Sequence, residues 1–401
     1  MSSKKNNVKK SCAWASVEFG NVNLGDERLR KRLIKLADSL AESPESPINQ
    51  ACDGWAEAKG AYRFFQNESV NEKEILASHT QQTVERAKNA EKILAIQDTS
   101  YICYSKHKQT TGLGMITKKP GSNATTISTT GVIMHTTFAV TTSGLPLGIL
   151  DQNISARKPL SDQLRQKKKK GHNTYVPIED KESIRWLDSL RRTQEATKDS
   201  DIEVVTICDR EGDFYELFEH SKKIGTSVLV RASVDRIINK SSMYTRKLDT
   251  RLWGYVQSLP VQGTIEVEIP ARNQRPARTA TLETRFGSFK MNPPRNLFRQ
   301  KTEDLPDIGL NAVYVTEKDP PQGEDALEWM LLTDLPVTDF DEAIEKVRWY
   351  CLRWRIEVFH KILKSGLKVE QCRLQTADGL IRYLTVMSII AWRIYRIELI
   401  F

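Results

Sequence analysis

The stretch WYCLRWRIEVFHKILKSG, from Trp349 to Gly366, constrains the fold of this chain more than any other segment. At about 100° of rotation per residue, a helix there has one narrow polar stripe, formed by Tyr350, Arg353, Glu357 and Lys364. An apolar stripe runs beside it, formed by Leu352, Ile356, Phe359 and Leu363. Such a helix packs on a core with one side and presents a carboxylate, two cations and a phenol on the other. That face suits a divalent metal and a phosphate, although solvated helix neighbours would give the same spacing.

The size and charge of the chain favour a multidomain protein with a polyanionic partner. Its 401 residues are enough for two or three domains, and the formal net charge is +9. Much of the positive charge is local, because residues 152–175 carry seven Lys and Arg against Asp162 alone. Three further arginines, Arg272, Arg275 and Arg278, lie in a later basic segment. The composition therefore points to nucleic acid without identifying it.

Cysteine usage and hydropathy predict a cytoplasmic protein. The six cysteines are scattered, with no C-x-x-C and no zinc-ligand spacing, which favours reduced thiols. The N-terminus has lysines but no apolar segment after them, so it is not a secretory signal. The most hydrophobic run, YLTVMSIIAW, is too short to span a bilayer. We therefore expect no membrane role.

Residues 13–90 read as a helical region. Leu24-Gly25-Asp26 resembles a turn with an acidic cap, and the leucines that follow repeat at intervals of three and four: Leu29, Leu33, Leu36 and Leu40. The same helix carries several cations and could enter a DNA groove, although a solvated charged face is the commoner explanation. The segments GWAEAKGAYRFFQNESV and 73–91 predict two further helices.

The next 150 residues predict an α/β sheet. KILAIQD reads as a strand that ends at Asp98, and GVIMHTTFAV with LPLGIL as an antiparallel hairpin. A helix from about Glu179 to Ala196 follows, then a strand that stops at Asp209, a second helix, and the strand SVLVRAS. This order is that of a ribonuclease-H-like fold, in which the strands of Asp98 and Asp209 are neighbours.

The rest of the chain completes this prediction. Alternating segments from about 245 to 335, punctuated by Pro and Gly, indicate a β-rich insertion. Helices return at Asp339 and end with one over about 377–398. We therefore predict four segments: a helical DNA-end-binding domain (1–90), a ribonuclease-H-like core (91–240), a β-rich insertion (241–335) and the C-terminal helices of the core (336–401).

Three carboxylates, Asp98, Asp209 and Glu357, stand on three different predicted elements. Each carboxylate alone is weak evidence for a metal site, because an acidic residue at a strand end is usually a turn former. Two-metal phosphoryl transfer needs several hard oxygen ligands on rigid elements, and this set meets that requirement. Glu211 and Asp213 remain rival ligands beside Asp209.

Several motifs together resemble a known family. AIQDTS, CDREGD, EWMLLTD and YCLRWRIEVFHKILK are similar to the DDE transposases of bacterial cut-and-paste insertion sequences, the insertion-sequence-four family, and most closely to the transposon-five transposase. Tyr350, Arg353, Glu357 and Lys364 match that family's Tyr, two residues, Arg, three residues, Glu, six residues, Lys pattern. The resemblance extends from FGNVNLGDERLRKRL and GAYRFF to IYRIELIF, nearly the whole chain.

The resemblance implies specific roles. Asp98, Asp209 and Glu357 would ligate two Mg²⁺, with Mn²⁺ as the alternative ion, while Tyr350, Arg353 and Lys364 would grip a DNA phosphate. Trp329 matches a tryptophan on which a flipped base stacks, a core position being the alternative. Arg210 would contact DNA or balance the acids beside it. The arginines that fall in regions binding the terminal inverted repeats are Arg28, Arg32 and Arg63.

The implied activity is cut-and-paste transposition of double-stranded DNA by nicking, hairpin formation and joining to target DNA. The transposon-five transposase continues into a C-terminal region that pairs two subunits, whereas this chain stops at Phe401. A homodimer is therefore expected only if other surfaces, such as the 377–398 helix, form the pair. The alternatives are a truncated relic or inhibitor that occupies DNA ends and a nuclease of the same fold.

Overall fold

The computed structural model describes residues 14–120, 126–157, 177–238, 251–269, 276–293 and 305–400. Contacts among them define two compact units. The first unit comprises the described parts of Met1–Lys169, with Arg192–Glu203 and Trp354–Phe401. The second comprises those of Lys170–Arg191 and Val204–Arg353. One boundary, between Arg353 and Trp354, falls inside the motif that dominates the sequence.

The first unit begins with five helices: α1 (14–19), α2 (Glu27–Glu42), α3 (Ile48–Ala51), α4 (Trp55–Gln66) and α5 (Glu72–Ala87). The predicted cap of α2 is confirmed, since a carboxylate oxygen of Asp26 accepts a hydrogen bond from the Arg28 amide at 2.7 Å. Leu33, Leu36 and Leu40 are buried, so the leucine repeat faces the core as predicted.

Four strands form the sheet of the first unit: β1 (Lys92–Cys103), β2 (Gly114–Pro120), β3 (Thr126–Thr141) and β4 (Pro146–Ser155). The other three strands all pair antiparallel with β3. The predicted β3–β4 hairpin is confirmed, whereas β2 was not predicted. The predicted end of the first strand at Asp98 is wrong, because pairing with β3 continues to Cys103 opposite Gly131.

The second unit is built on a mixed sheet. Its strands are β5 (Glu203–Cys208), β6 (Ser227–Arg231), β7 (Gly263–Ile269), β8 (Arg278–Met291), β9 (Ile308–Glu317) and β10 (Glu328–Thr333). The spatial order is β5-β6-β10-β9-β8-β7, in which β5 and β6 are parallel and the other pairs antiparallel. The predicted strands at Asp209 and SVLVRAS and the β-rich character after 245 are confirmed. The ribonuclease-H-like topology and the four segment boundaries stay predictions.

The described chain between residues 177 and 351 also contains four α-helices: α6 (Ile184–Thr197), α7 (Tyr215–Ile224), α8 (Leu252–Gln257) and α9 (Phe340–Cys351). Trp186, Leu187 and Leu190 of α6 lie in the buried apolar cluster of the second unit. Helix α9 begins at the predicted place, where Asp339 accepts a hydrogen bond from the Glu342 amide at 2.9 Å. Helix α8 was not predicted.

The predicted single helix over Trp349–Gly366 is wrong. Helix α9 ends at Cys351, a turn follows, and α10 runs over Trp354–Lys361 before a π-helical turn at Ile362–Gly366. The π-helical turn is closed by a hydrogen bond from the Leu367 amide to the Ile362 carbonyl at 2.8 Å. These changes of helical geometry break the 100° progression on which the polar stripe rested. The apolar stripe is largely confirmed, because Ile356, Phe359 and Leu363 are fully buried.

The last helix, α11 (Ala377–Ile400), agrees with the predicted C-terminal helix and packs against β4 and α5 within the first unit. No helix in the described ranges is long and apolar enough to cross a membrane. The cysteines in those ranges are free thiols, as their scattered positions predicted.

Candidate functional site

Asp98 and Glu357 lie on two elements of the first unit that pack together, β1 and α10. The Oδ2 atom of Asp98 is 3.5 Å from Nδ1 of His360, a buried residue on α10. Glu357 precedes His360 by three residues, nearly one helical turn, and both carboxylates are half-buried. Helix α10 is held in place by Phe359, whose ring stacks on Phe138 of β3 at 4.8 Å. A buried apolar contact therefore positions the helix that carries the glutamate.

Lys364 reaches the same strand face as Asp98. Its Nζ atom donates a hydrogen bond to Oγ of Ser100 at 3.4 Å. Ser100 and Asp98 are two residues apart on β1, so their side chains point to the same side of the sheet. The first unit thus brings one carboxylate, the His360 imidazole and the Lys364 ammonium to one strand face, and sequence reasoning did not identify His360.

Asp209 stands where it was predicted, immediately after β5. Its side chain accepts a hydrogen bond from the Glu211 amide at 2.8 Å and so caps the short 3₁₀ helix Arg210–Gly212. The rival Asp213 is buried and structural: it accepts hydrogen bonds from the Ser233 and Val234 amides and pairs with Arg236. Glu211 and Arg210 are exposed. Asp213, one of the two alternatives to Asp209 as a metal ligand, therefore holds the loop after β6.

Tyr350 is the centre of a polar cluster in the second unit. Its side chain is buried, and its ring meets Trp329 edge-on with 5.5 Å between the ring centroids. Burial raises the pKa of Tyr350, while the charges of Arg353 and Arg231 and a hydrogen bond with Arg231 act in the opposite direction. The phenol therefore stays protonated at neutral pH. The structure brings together Tyr350, Arg353 and Trp329, three of the predicted DNA-binding residues.

Arg231, at the end of β6, was missed by sequence reasoning. It lies opposite Leu331 of β10, and its Nη2 atom donates to the Glu328 carbonyl at 2.9 Å. Burial lowers the pKa of Arg231, and the positive charges of Arg210 and Arg353 lower it further, although Tyr350 opposes them. Guanidinium groups pair with phosphate oxygens through their N–H donors, so the cluster suits a phosphate. The only indication of Arg231 in the sequence was its place in the predicted strand SVLVRAS.

The N-terminal arginines Arg28, Arg32 and Arg63 are all exposed. Neighbouring cations have carboxylate partners: Arg30 and Lys31 pair with Glu27, and Lys35 with Glu57. Within the described ranges, none of the three predicted arginines has a carboxylate oxygen within 4 Å.

The other basic segments contribute less to the described structure. Most of the 152–175 segment, together with Arg272 and Arg275, lies outside the described residues. Arg278 is described, and it forms ion pairs with Glu317 and Glu324. Those two carboxylates offset its charge, so Arg278 is a structural residue of the second unit.

The predicted metal ligands are divided between the units, with Asp98 and Glu357 in the first and Asp209 in the second. In the described parts of the chain, no three His, Cys, Asp or Glu side chains gather as a metal site. The donor chemistry nevertheless fits the expected ion, because carboxylate oxygens are the ligands that Mg²⁺ and Mn²⁺ prefer.

A comparison with known families identifies the N-terminal segment. Residues 11–70 match a family model described as transposase DNA-binding. The matched segment includes α2, α3 and α4 and the three exposed arginines Arg28, Arg32 and Arg63. This segment is therefore similar to transposase DNA-binding segments, which supports a transposase whose partner is DNA.

Proposed function

We propose that this chain is a DDE transposase of the insertion-sequence-four type, similar to the transposon-five transposase, with a ribonuclease-H-like catalytic core. The observation that carries the proposal is the Tyr350 cluster, in which a buried phenol, Arg231, Arg353 and Trp329 meet in one unit. The family match covers only DNA binding by residues 11–70, so it does not by itself predict the Tyr350 cluster, which lies outside that segment. The proposed setting is the bacterial cytoplasm, in association with the nucleoid, and the proposed assembly is a homodimer at two DNA ends.

The Tyr350 cluster is proposed to bind a phosphodiester at the transposon end. Guanidinium groups hold phosphate oxygens through paired N–H donors, and a protonated phenol adds a further donor. Trp329 is half-buried and offers a ring next to that phosphate position. A base turned out of the duplex would stack on this ring.

Asp98, Asp209 and Glu357 are the proposed catalytic carboxylates. Two Mg²⁺ ions, or Mn²⁺ in their place, would activate the attacking oxygen and stabilise the leaving oxygen when bound. The chain's own residues fix the donors: the end of β5 and its 3₁₀ turn hold Asp209, and the buried face of α10 holds Glu357. Lys364 and the arginines of the Tyr350 cluster orient phosphates for in-line attack. The proposed sequence is nicking by water, attack of the freed 3′-hydroxyl on the opposite strand, opening of that hairpin, and joining to target DNA.

The deciding experiment combines the purified chain with Mg²⁺ and a duplex carrying the inverted repeat that flanks its gene. Nicking, hairpin formation and joining support the proposal. Binding without cleavage would instead identify a relic or inhibitor that occupies DNA ends. Cleavage without joining would identify a nuclease.

A matched pair of variants tests the role of Glu357. Glu357→Gln should keep DNA binding and lose cleavage, because the amide removes the charge that a metal ligand needs. The control is Glu398→Gln, which removes an exposed carboxylate near the end of α11. If Glu357→Gln cut the duplex as fast as this control, Glu357 would not belong to the catalytic site.

A further inference from the structure

Trp55, the first residue of α4, is exposed to an unusual degree. Its relative exposure is 76%, more than that of any other large apolar side chain in the described residues. Four other apolar side chains of α4, those of Ala58, Ala61, Phe64 and Phe65, are buried. Because tryptophan has the largest apolar side chain, leaving it in water forgoes a favourable burial. Packing within the described chain therefore does not explain it.

The surroundings of Trp55 are suited to a polyanion. The Lys59 ammonium lies 4.7 Å from the centroid of the Trp55 ring, and Arg63 follows on the same face of α4. Arg32 of α2 lies over Gly60, where an added Cβ would approach its Nη1 atom to 2.7 Å. The nearest acid on α4, Glu57, is already paired with Lys35. The Trp55 face of α4 thus combines one exposed aromatic ring with the cations Lys59 and Arg63, while Arg32 lies over Gly60 of the same helix.

The cation–π contact also orders the ring before any ligand arrives. Lys59 is one helical turn after Trp55, so its ammonium covers one face of the indole and leaves the other open. An aromatic ring held on a helix end loses less conformational entropy on binding than a free one. The open face is therefore a preorganised stacking surface.

We propose that Trp55 makes an apolar stacking contact with a base of the DNA end, while Lys59 and Arg63 take the flanking phosphates. DNA is the occupant because Trp55 lies within the transposase DNA-binding match and because the cations beside it complement phosphates. This inference rests on the proposed function and adds a residue that contacts a base of the duplex. A stacking contact differs from the arginine contacts because it neutralises no phosphate and releases no counterion.

The test measures affinity for the terminal-repeat duplex by fluorescence anisotropy over a range of salt concentrations. Trp55→Ala should weaken binding about tenfold or more, since a base–aromatic stack contributes at that level. The slope of log Kd against log salt should stay unchanged. Arg63→Gln is the matched comparison, and it should reduce that slope by about one phosphate contact. Trp55→Phe should restore most of the affinity because it keeps an aromatic face.

The outcomes separate this inference from the function on which it rests. If the wild-type chain fails to bind the terminal-repeat duplex at all, the proposed function fails. If the wild type binds and Trp55→Ala binds equally well, only the role of Trp55 is overturned. Sedimentation of the DNA-free protein tests the competing occupant, a second copy of the chain. Loss of self-association in Trp55→Ala with unchanged DNA affinity would assign the ring to that interface.

Discussion

The electrostatic interaction between the Tyr350 phenol and the Arg231 guanidinium is the one whose removal tests the cluster most directly. Tyr350→Phe deletes the phenol oxygen and leaves the ring against Trp329, so packing is retained. Arg231 then loses one of its partners in a half-buried position and keeps the Glu328 carbonyl. Hydrogen bonds to a charged group contribute about 1.5–3 kcal/mol, and partial exposure of Arg231 places this one near 1.5 kcal/mol.

A double-mutant cycle isolates that contribution. Free energies of unfolding would be measured by urea denaturation for the wild type, Tyr350→Phe, Arg231→Gln and the double variant. We expect a coupling energy of about 1.5 kcal/mol, because the two groups contact each other directly. The same cycle measured on DNA affinity should give coupling of the same sign if both groups hold one phosphate. A coupling energy within error of zero in the unfolding cycle would refute the interaction and the cluster built on it.

Three further predictions concern residues around the site and the core. Asp213→Asn should lower the free energy of unfolding by about 3 kcal/mol because it leaves Arg236 without its buried partner, whereas Asp209→Asn should fold normally and lose cleavage. Gly148→Ala should lower the melting temperature, since its Cβ would lie 2.0 Å from Oγ1 of Thr83, while Gly309→Ala, with open space around it, should not. Burial lowers the pKa of His79, so stability should decline as pH falls below about 6.5, and His79→Gln should flatten that decline; an unchanged profile would contradict the assignment.

Local signals in the sequence predicted the helices and strands whose bounds depend on residues within the same element. The Asp26 cap and the leucine repeat predicted α2, and the β-branched run before Asp209 predicted the end of β5. The buried stripe of Ile356, Phe359 and Leu363 was also predictable from the sequence. The spacing of apolar residues along one helical face survives small changes in helix geometry. These features depend on neighbours within a few residues.

Features decided by partners distant in sequence were not predictable. The end of β1 was placed too early, because it is the pairing of Ile102 and Cys103 with β3 that keeps the chain extended beyond Asp98. Arg231 was missed because its role depends on β6 pairing with β10, which is about 100 residues later in the chain. A strand-end arginine gives no indication of which strand will lie beside it.

The break after Cys351 changes how the motif must be understood. Tyr350 is oriented by Trp329 and Arg231, whereas Glu357 is oriented by the burial of Ile356 and Phe359 on the opposite side of the turn. Two independent sets of contacts therefore set side chains that a single straight helix would have fixed together. It follows that truncating Phe359, which stacks on Phe138, should disturb Glu357 and cleavage while leaving the Tyr350 cluster intact. The turn at Leu352 and Arg353 therefore separates two packing environments along the chain.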